Sequence, residues 1–167
     1  MTTISHHTTP IILAQALDAV SSTTLMPLGT TVRTNDGGEA VYVQALSGVA
    51  AHNGVVINID FTANALSTNA VADGTGTSKL VGWAQTSCAS GQMCWIQTAG
   101  RPIGNLASAC ADRVTLYTTA VAGVIDDATV SAALIAGVVS KTTISNATAV
   151  TLMVPLGAHI HPHANPA

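Results

Sequence analysis

Apolar and polar residues alternate along most of this chain with the period of two that a half-buried strand shows. After the turn signal Asn35-Asp36-Gly37-Gly38, the run Glu39 to Ala45 places Ala40, Tyr42 and Gln44 on one face and Val41, Val43 and Ala45 on the other. The run Gly54 to Asp60 repeats the pattern and aligns Val55, Ile57 and Ile59. Next comes Thr62 to Ser78, polar throughout its second half, which reads as a long loop. The most apolar pair of strands follows: Leu80 to Gln85 and Met93 to Thr98, with Ala89-Ser90-Gly91-Gln92 between them as a turn, predicts a β-hairpin. Each of its strands holds one of the chain's two tryptophans, Trp83 and Trp95, so this hairpin is the predicted centre of the core. Val114 to Thr118, Ala133 to Ser140 and Ala149 to Pro155 complete the series.

The first thirty residues follow a different rhythm. After Pro10, a residue suited to a helix first turn, Leu13, Ala16, Leu17 and Val20 recur at helical spacing. So short a helix is not stable alone and must pack on something. Two readings stand: an arm laid over its own domain or a neighbour, or an ordinary first element of the same domain. The predicted organisation is an arm over 1–34 carrying that short helix, a β domain over 35–156 and a flexible His- and Pro-rich tail over 157–167. About seven short strands with turns between them, and no helices separating them, predict an all-β fold, an antiparallel β-barrel or β-sandwich.

Charge changes the picture. Only 8% of the 167 residues are charged, against roughly 25% in an ordinary soluble domain. A surface this neutral points to a chain that covers itself with copies of itself or with a larger assembly. The five basic residues, Arg33, Lys79, Arg101, Arg113 and Lys141, are scattered, so no phosphate-backbone footprint forms and nucleic acid is not an expected partner. The longest apolar run, Ala132 to Val139, is far short of the roughly 20 residues a membrane span needs, so no membrane is expected either. Cys88, Cys94 and Cys110 lack a CxxC spacing, which speaks for buried thiols in a reducing compartment, although Cys88 and Cys94 can face each other across the hairpin.

Candidate chemistry is sparse, and no enzyme is expected. The single Glu, Glu39, stands beside a turn where a solvated carboxylate is the simpler reading. Asp126-Asp127 follows Gly123, where Asp stabilises a turn through the backbone. Gly74-Thr75-Gly76-Thr77-Ser78-Lys79 lacks the spacing of a phosphate loop. His159, His161 and His163 alternate and suit a transition metal in an extended strand, but Pro162 and Pro166 mark a tail with no further ligand. No cofactor and no metal are expected.

Gly38 to Ala45, Gly54-Val55-Val56, Val81-Gly82-Trp83-Ala84-Gln85, Ser90-Gly91-Gln92, Trp95-Ile96-Gln97, Leu116 to Ala120, Ala122-Gly123, Ile125-Asp126-Asp127 and Gly137-Val138-Val139 occur in an order that resembles the capsid cement or decoration proteins of tailed double-stranded DNA bacteriophages. The resemblance covers about Leu28 to Pro155 and rests on order and spacing rather than on one motif. It implies a β-rich homotrimer, made in the host cytoplasm, that binds the outer surface of the virion head where major capsid subunits meet. It leaves out the N-terminal arm and the tail. In the arm, Ile11, Ile12, Leu13 and Leu17 are the predicted capsid or subunit contacts. A carbohydrate- or host-recognition β-sandwich of a virion surface or tail is the alternative, and it needs exposed aromatic side chains.

Overall fold

The computed structural model describes residues 17–66, 79–128, 134–140, 148–154 and 159–161. Among these residues the chain is all-β, without a helix, and barrel-like. Its strands are β1 (Val20–Ser21), β2 (Thr31–Arg33), β3 (Glu39–Ala45), β4 (Gly54–Ile57), β5 (Thr62–Ala65), β6 (Lys79–Ala84), β7 (Met93–Ala99), β8 (Ile103–Leu106), β9 (Leu116–Thr118), β10 (Ile125–Asp126), β11 (Leu134–Ala136), β12 (Val139–Ser140), β13 (Thr148–Met153) and β14 (His159–His161). Fourteen strands stand where about seven were expected: a bend at Gly137 (φ 81°) splits the 133–140 run into β11 and β12, and β1, β2, β5, β8, β10 and β14 lie in stretches where no strand was expected.

Five of them form a closed ring. β3 pairs with β7, β7 with β6, β6 with β4, β4 with β5, and β5 returns to β3. A ring with an odd number of strands cannot alternate direction all the way round, so one neighbour pair must be parallel. That pair is β3–β5, and β10–β8 is a second exception to the expected antiparallel order. β5 lies inside the stretch expected to be a loop: Thr62-Ala63-Asn64-Ala65 has little apolar pattern but is held by main-chain bonds on both sides.

The period of two then sorts side chains into three packed layers. Val41, Val43, Ala45, Val55, Ile57, Ala63, Ala84, Cys94 and Ile96 fill the barrel, with Val49 and Cys88 entering from connections. These are small side chains, as a narrow barrel requires. On the other face of β4 and β6, Val56, Val81 and Trp83 join Leu106, Leu116, Ile125, Ile135 and Leu152 in a second core. On the other face of β3 and β7, Ala40, Tyr42, Met93 and Trp95 are covered by Leu17, Met26, Leu28 and Val32.

Both indoles therefore point out of the barrel, onto different layers, and not into one shared centre. Trp83 stands opposite Gln97, two residues from Trp95 on the same face of β7, but barrel curvature turns the outer faces of β6 and β7 apart. Trp83 rests on Gly104, where an added Cβ would lie 2.7 Å from the indole and 2.4 Å from Leu152 Cδ1. Trp95 packs on Tyr42 with ring centroids 5.2 Å apart.

The remaining strands continue from β6 through β14, β11, β9, β10, β8 and β13 to β12. β14 is hydrogen-bonded to β11 and to β6, so His159–His161 is part of the sheet although Pro162 follows it in the stretch expected to be a flexible tail. A proline after the last paired residue ends a strand without costing it a ladder bond.

Candidate interaction surface

Of the four predicted contact residues, Ile11, Ile12 and Leu13 lie outside the described residues, as does most of the predicted helix. Leu17 is half-buried on its own chain, against the layer of Ala40, Tyr42, Met93 and Trp95. Beyond it the expected last helical turn is absent: Val20 pairs with Cys94 and Ser21 with Met93 in β1. The cover is then fixed by main-chain bonds, Gly29 N–H to Tyr42 O at 2.8 Å and Tyr42 N–H to Thr30 O at 2.9 Å, while the Leu25 N–H donates to Tyr42 Oη at 3.4 Å. The segment from Leu17 onward thus belongs to the domain it covers.

Alternation predicts Ile59 on the inner face with Val55 and Ile57, and here the structure differs. β4 stops at Ile57, and residues 58–61 form a tight turn with Ile59 fully exposed at its tip. Side chains drive the reversal. Asn58 Nδ2 donates to Thr62 Oγ1 at 2.9 Å, and Asp60 Oδ1 accepts the Thr62 N–H at 3.0 Å and the Thr62 hydroxyl at 2.6 Å. These bonds hold the Asp60 carboxyl below its ordinary pKa. Phe61 takes φ 60°, an uncommon conformation for an aromatic residue, and its ring lies over Gly29 so closely that an added Cβ there would meet it at 2.4 Å.

Ile59 and Phe61 are thus exposed apolar groups on one rigid turn, and Leu46, beyond the end of β3, is exposed as well. Ile103 and Met153 are exposed on the adjoining strands β8 and β13. Sequence reasoning missed these residues. Only Asn58-Ile59-Asp60, an apolar residue between two turn formers, signalled the tip.

Among the described residues the polar groups offer one three-membered cluster. Cys110 Sγ and the carboxylates of Asp126 and Asp127 have ligand atoms within 4.8 Å of one another. Asp126 bonds its own backbone as its position after Gly123 predicts, its Oδ1 accepting the Asp127 N–H at 2.9 Å, whereas Asp127 Oδ2 accepts the Ala111 N–H of a separate connection at 3.0 Å. Burial, then the neighbouring Asp127 and Asp126 charges, push the Cys110 thiol up to about 11, so it is neutral near pH 7 and a weak nucleophile. Burial also raises the Asp126 pKa, with Asp127 adding to the effect.

Glu39 pairs with Arg33 across β2 and β3 at 3.6 Å, an exposed contact worth little. Residues 74–78 and His163 lie outside the described residues, while His159 and His161 stand in β14. No family model, no curated protein and no solved structure matches this chain.

Proposed function

We propose that this chain is a structural virion protein that binds the outside of a tailed-phage head between major capsid subunits and stabilises the shell. The observation that carries the reading is a surface with very few charges and with apolar side chains held outward on rigid elements: Ile59 and Phe61 on the 58–61 turn, Ile103 and Met153 on β8 and β13. Exposed apolar groups of this kind gain by being covered, and symmetry repeats each weak contact many times over a head. The order of motifs from Gly38 to Val139 supports the same reading. In this proposal the free protein is a homotrimer, its binding partner is the major capsid protein, and Ile11, Ile12 and Leu13 reach across a subunit boundary. No cofactor takes part.

The carbohydrate-recognition alternative draws no support from the aromatic residues. Trp83, Trp95 and Tyr42 are buried, which leaves only Phe61 and the half-buried Tyr117 for a stacking platform.

The test is to add the purified chain to phage heads assembled without it, remove unbound protein by sedimentation, and measure the mass of the free form. Saturation at a fixed ratio to capsid subunits supports the proposal. A chain that stays in the supernatant at every concentration overturns it. Replacing Ile11, Ile12 and Leu13 by Ser tests the arm alone, because Leu17 and β1 keep their places on β3 and β7; unchanged occupancy removes the arm from the proposal.

A further inference from the structure

The connection 85–92 between β6 and β7 is exposed at Ser87, Ala89, Ser90 and Gly91, yet Cys88 in its middle is only 1% exposed. It turns into the end of the barrel. There it is bridged to Val49, with the Cys88 N–H donating to Val49 O and the Val49 N–H to Cys88 O, both at 2.8 Å. The same connection is tied to the β3–β4 connection by Gly91 N–H to Ala45 O at 2.7 Å, Ser90 Oγ to Leu46 O at 2.8 Å and Ala51 N–H to Ser87 Oγ at 3.1 Å. Two interlocked loops therefore close this end. Cys94 of β7, also 1% exposed, belongs to the same interior group, and the Cys88 thiol donates to Gln92 O at 3.5 Å, two residues before Cys94 in the chain.

We propose that Cys88 and Cys94 are an oxidisable pair that forms a disulfide inside the barrel, with a small-molecule disulfide as oxidant, and that this bond locks the barrel end shut. Cys88 is the attacking sulfur. It stands in a connection between exposed Ser87 and Ala89, whereas Cys94 lies within β7, paired to Val20 on one side and Val43 on the other. The neighbouring Cys94 thiol holds Cys88 below its ordinary range, while the neighbouring Cys88 and burial push Cys94 up. With the loop opened, the Cys88 thiolate, its proton released to solvent, attacks one sulfur of the oxidant. The oxidant's S–S bond breaks, a thiolate leaves and takes a proton, and a mixed disulfide remains. Cys94 then loses its proton to solvent and attacks Cys88 Sγ, expelling the second half of the oxidant as a thiol. Two cysteines are oxidised and one disulfide is reduced to two thiols.

The pairing rests on the burial of both cysteines in one barrel interior; only its timing rests on the virion reading. A chain made in a reducing cytoplasm carries thiols, and one on a released virion meets oxidising surroundings.

The experiment treats the folded full chain with oxidised glutathione at neutral pH, quenches with acid, unfolds, alkylates and reads intact and fragment masses. The expected result is loss of two hydrogens, alkylation at Cys110 only, and a thermal midpoint higher by roughly 5–10 °C. Cys94→Ser is expected to stop at a glutathione adduct on Cys88. Three alkylated cysteines in the treated wild-type chain, or a bond that includes Cys110, would overturn the proposal without needing any variant to fold. A second arm compares acid-quenched infected cells with released virions, and thiols in the first with a disulfide in the second are expected. Thiols in both overturn the timing. Absence of the chain from virions overturns the virion reading and leaves the mass loss of the purified chain standing.

Discussion

In the barrel every strand has at least two neighbours and the interior is filled by Val, Ala, Ile and Cys, whereas the lobe of β8 to β14 ends at β12 and its core adds Leu and one Trp to Val, Ile and Cys. Closure accounts for the contrast. A ring of five satisfies main-chain bonds around its whole circumference and needs only small side chains inside. The lobe has strands of two to six residues and leans on a wall that the barrel supplies, the outer faces of β4 and β6. β6 is thus shared: Val81 and Trp83 serve the lobe, and Leu80 and Ala84 serve the barrel. The lobe depends on the barrel more than the barrel depends on the lobe.

The largest expected effect comes from Trp83→Ala, which empties the lobe's widest contact with that wall. Loss of about 3–5 kcal/mol is expected. Native-state hydrogen exchange should show β8, β9 and β13 amides losing protection while β3 and β7 keep theirs. Equal loss in both regions would break the comparison and make them one cooperative unit.

Next is Gly104→Ala, which wedges a methyl group under the Trp83 indole and against Leu152. A cost of about 1–3 kcal/mol in urea unfolding is expected. The counterpart on the barrel is Gly82→Ala, where the added Cβ would sit 2.5 Å from Ile96 Cγ2 and 2.7 Å from the Gln97 carbonyl oxygen. Because backbone yields less than a side-chain end, Gly82→Ala is expected to cost more than Gly104→Ala.

Acid titration sharpens the comparison with two carboxylates of opposite sign. Asp36, at the β2–β3 turn, is pushed up by burial but pulled down further by bonds from the Thr34 hydroxyl, the Arg101 and Gly38 N–H groups and the Gln97 amide, and its pKa ends below the ordinary value. Its contribution is complete above about pH 4 and is lost as pH falls through the lower folded value. Asp36→Ala is expected to cost about 1–2 kcal/mol at pH 7 and to flatten the acid limb of a stability–pH curve. In the lobe, the raised pKa of Asp126 has the reverse effect: stability falls as pH rises from the ordinary carboxylate value to the raised one. Asp126→Asn should remove that fall. If both variants flatten the curve in the same sense, the assigned environments are wrong.

The smallest effect is expected from Ile59→Ser. With the side chain fully exposed, stability should stay within about 0.5 kcal/mol, so any fall in capsid occupancy reports contact rather than folding.

Much of the barrel was legible residue by residue. Alternation in Glu39–Ala45 assigned Val41, Val43 and Ala45 to one side and Ala40 and Tyr42 to the other, and those sets are separate layers. It failed at Ile59, where Asn58, Asp60 and Thr62 reverse the chain before the pattern runs out. It failed at Thr62–Ala65 too, because a strand whose main chain is paired on both sides needs no apolar stripe to be a strand. Asp126 was legible as a turn residue, but the bond of Asp127 to Ala111 and the meeting of both carboxylates with Cys110 were not, since those contacts are made between separate connections.

By itself the sequence determined that the chain is built of strands, which residues share a face of each strand, and that its surface is too poor in charge to be ordinary. These are properties of nearest neighbours and of composition, and they hold whatever the chain does next. Only the tertiary structure decided that β5 closes a ring of five, that the ring must therefore contain a parallel pair, and that the two tryptophans of adjacent strands end on separate layers. Each of these depends on curvature and on pairing between segments far apart in the chain, and a period of two is the same for a strand at an edge, in a sheet or in a barrel.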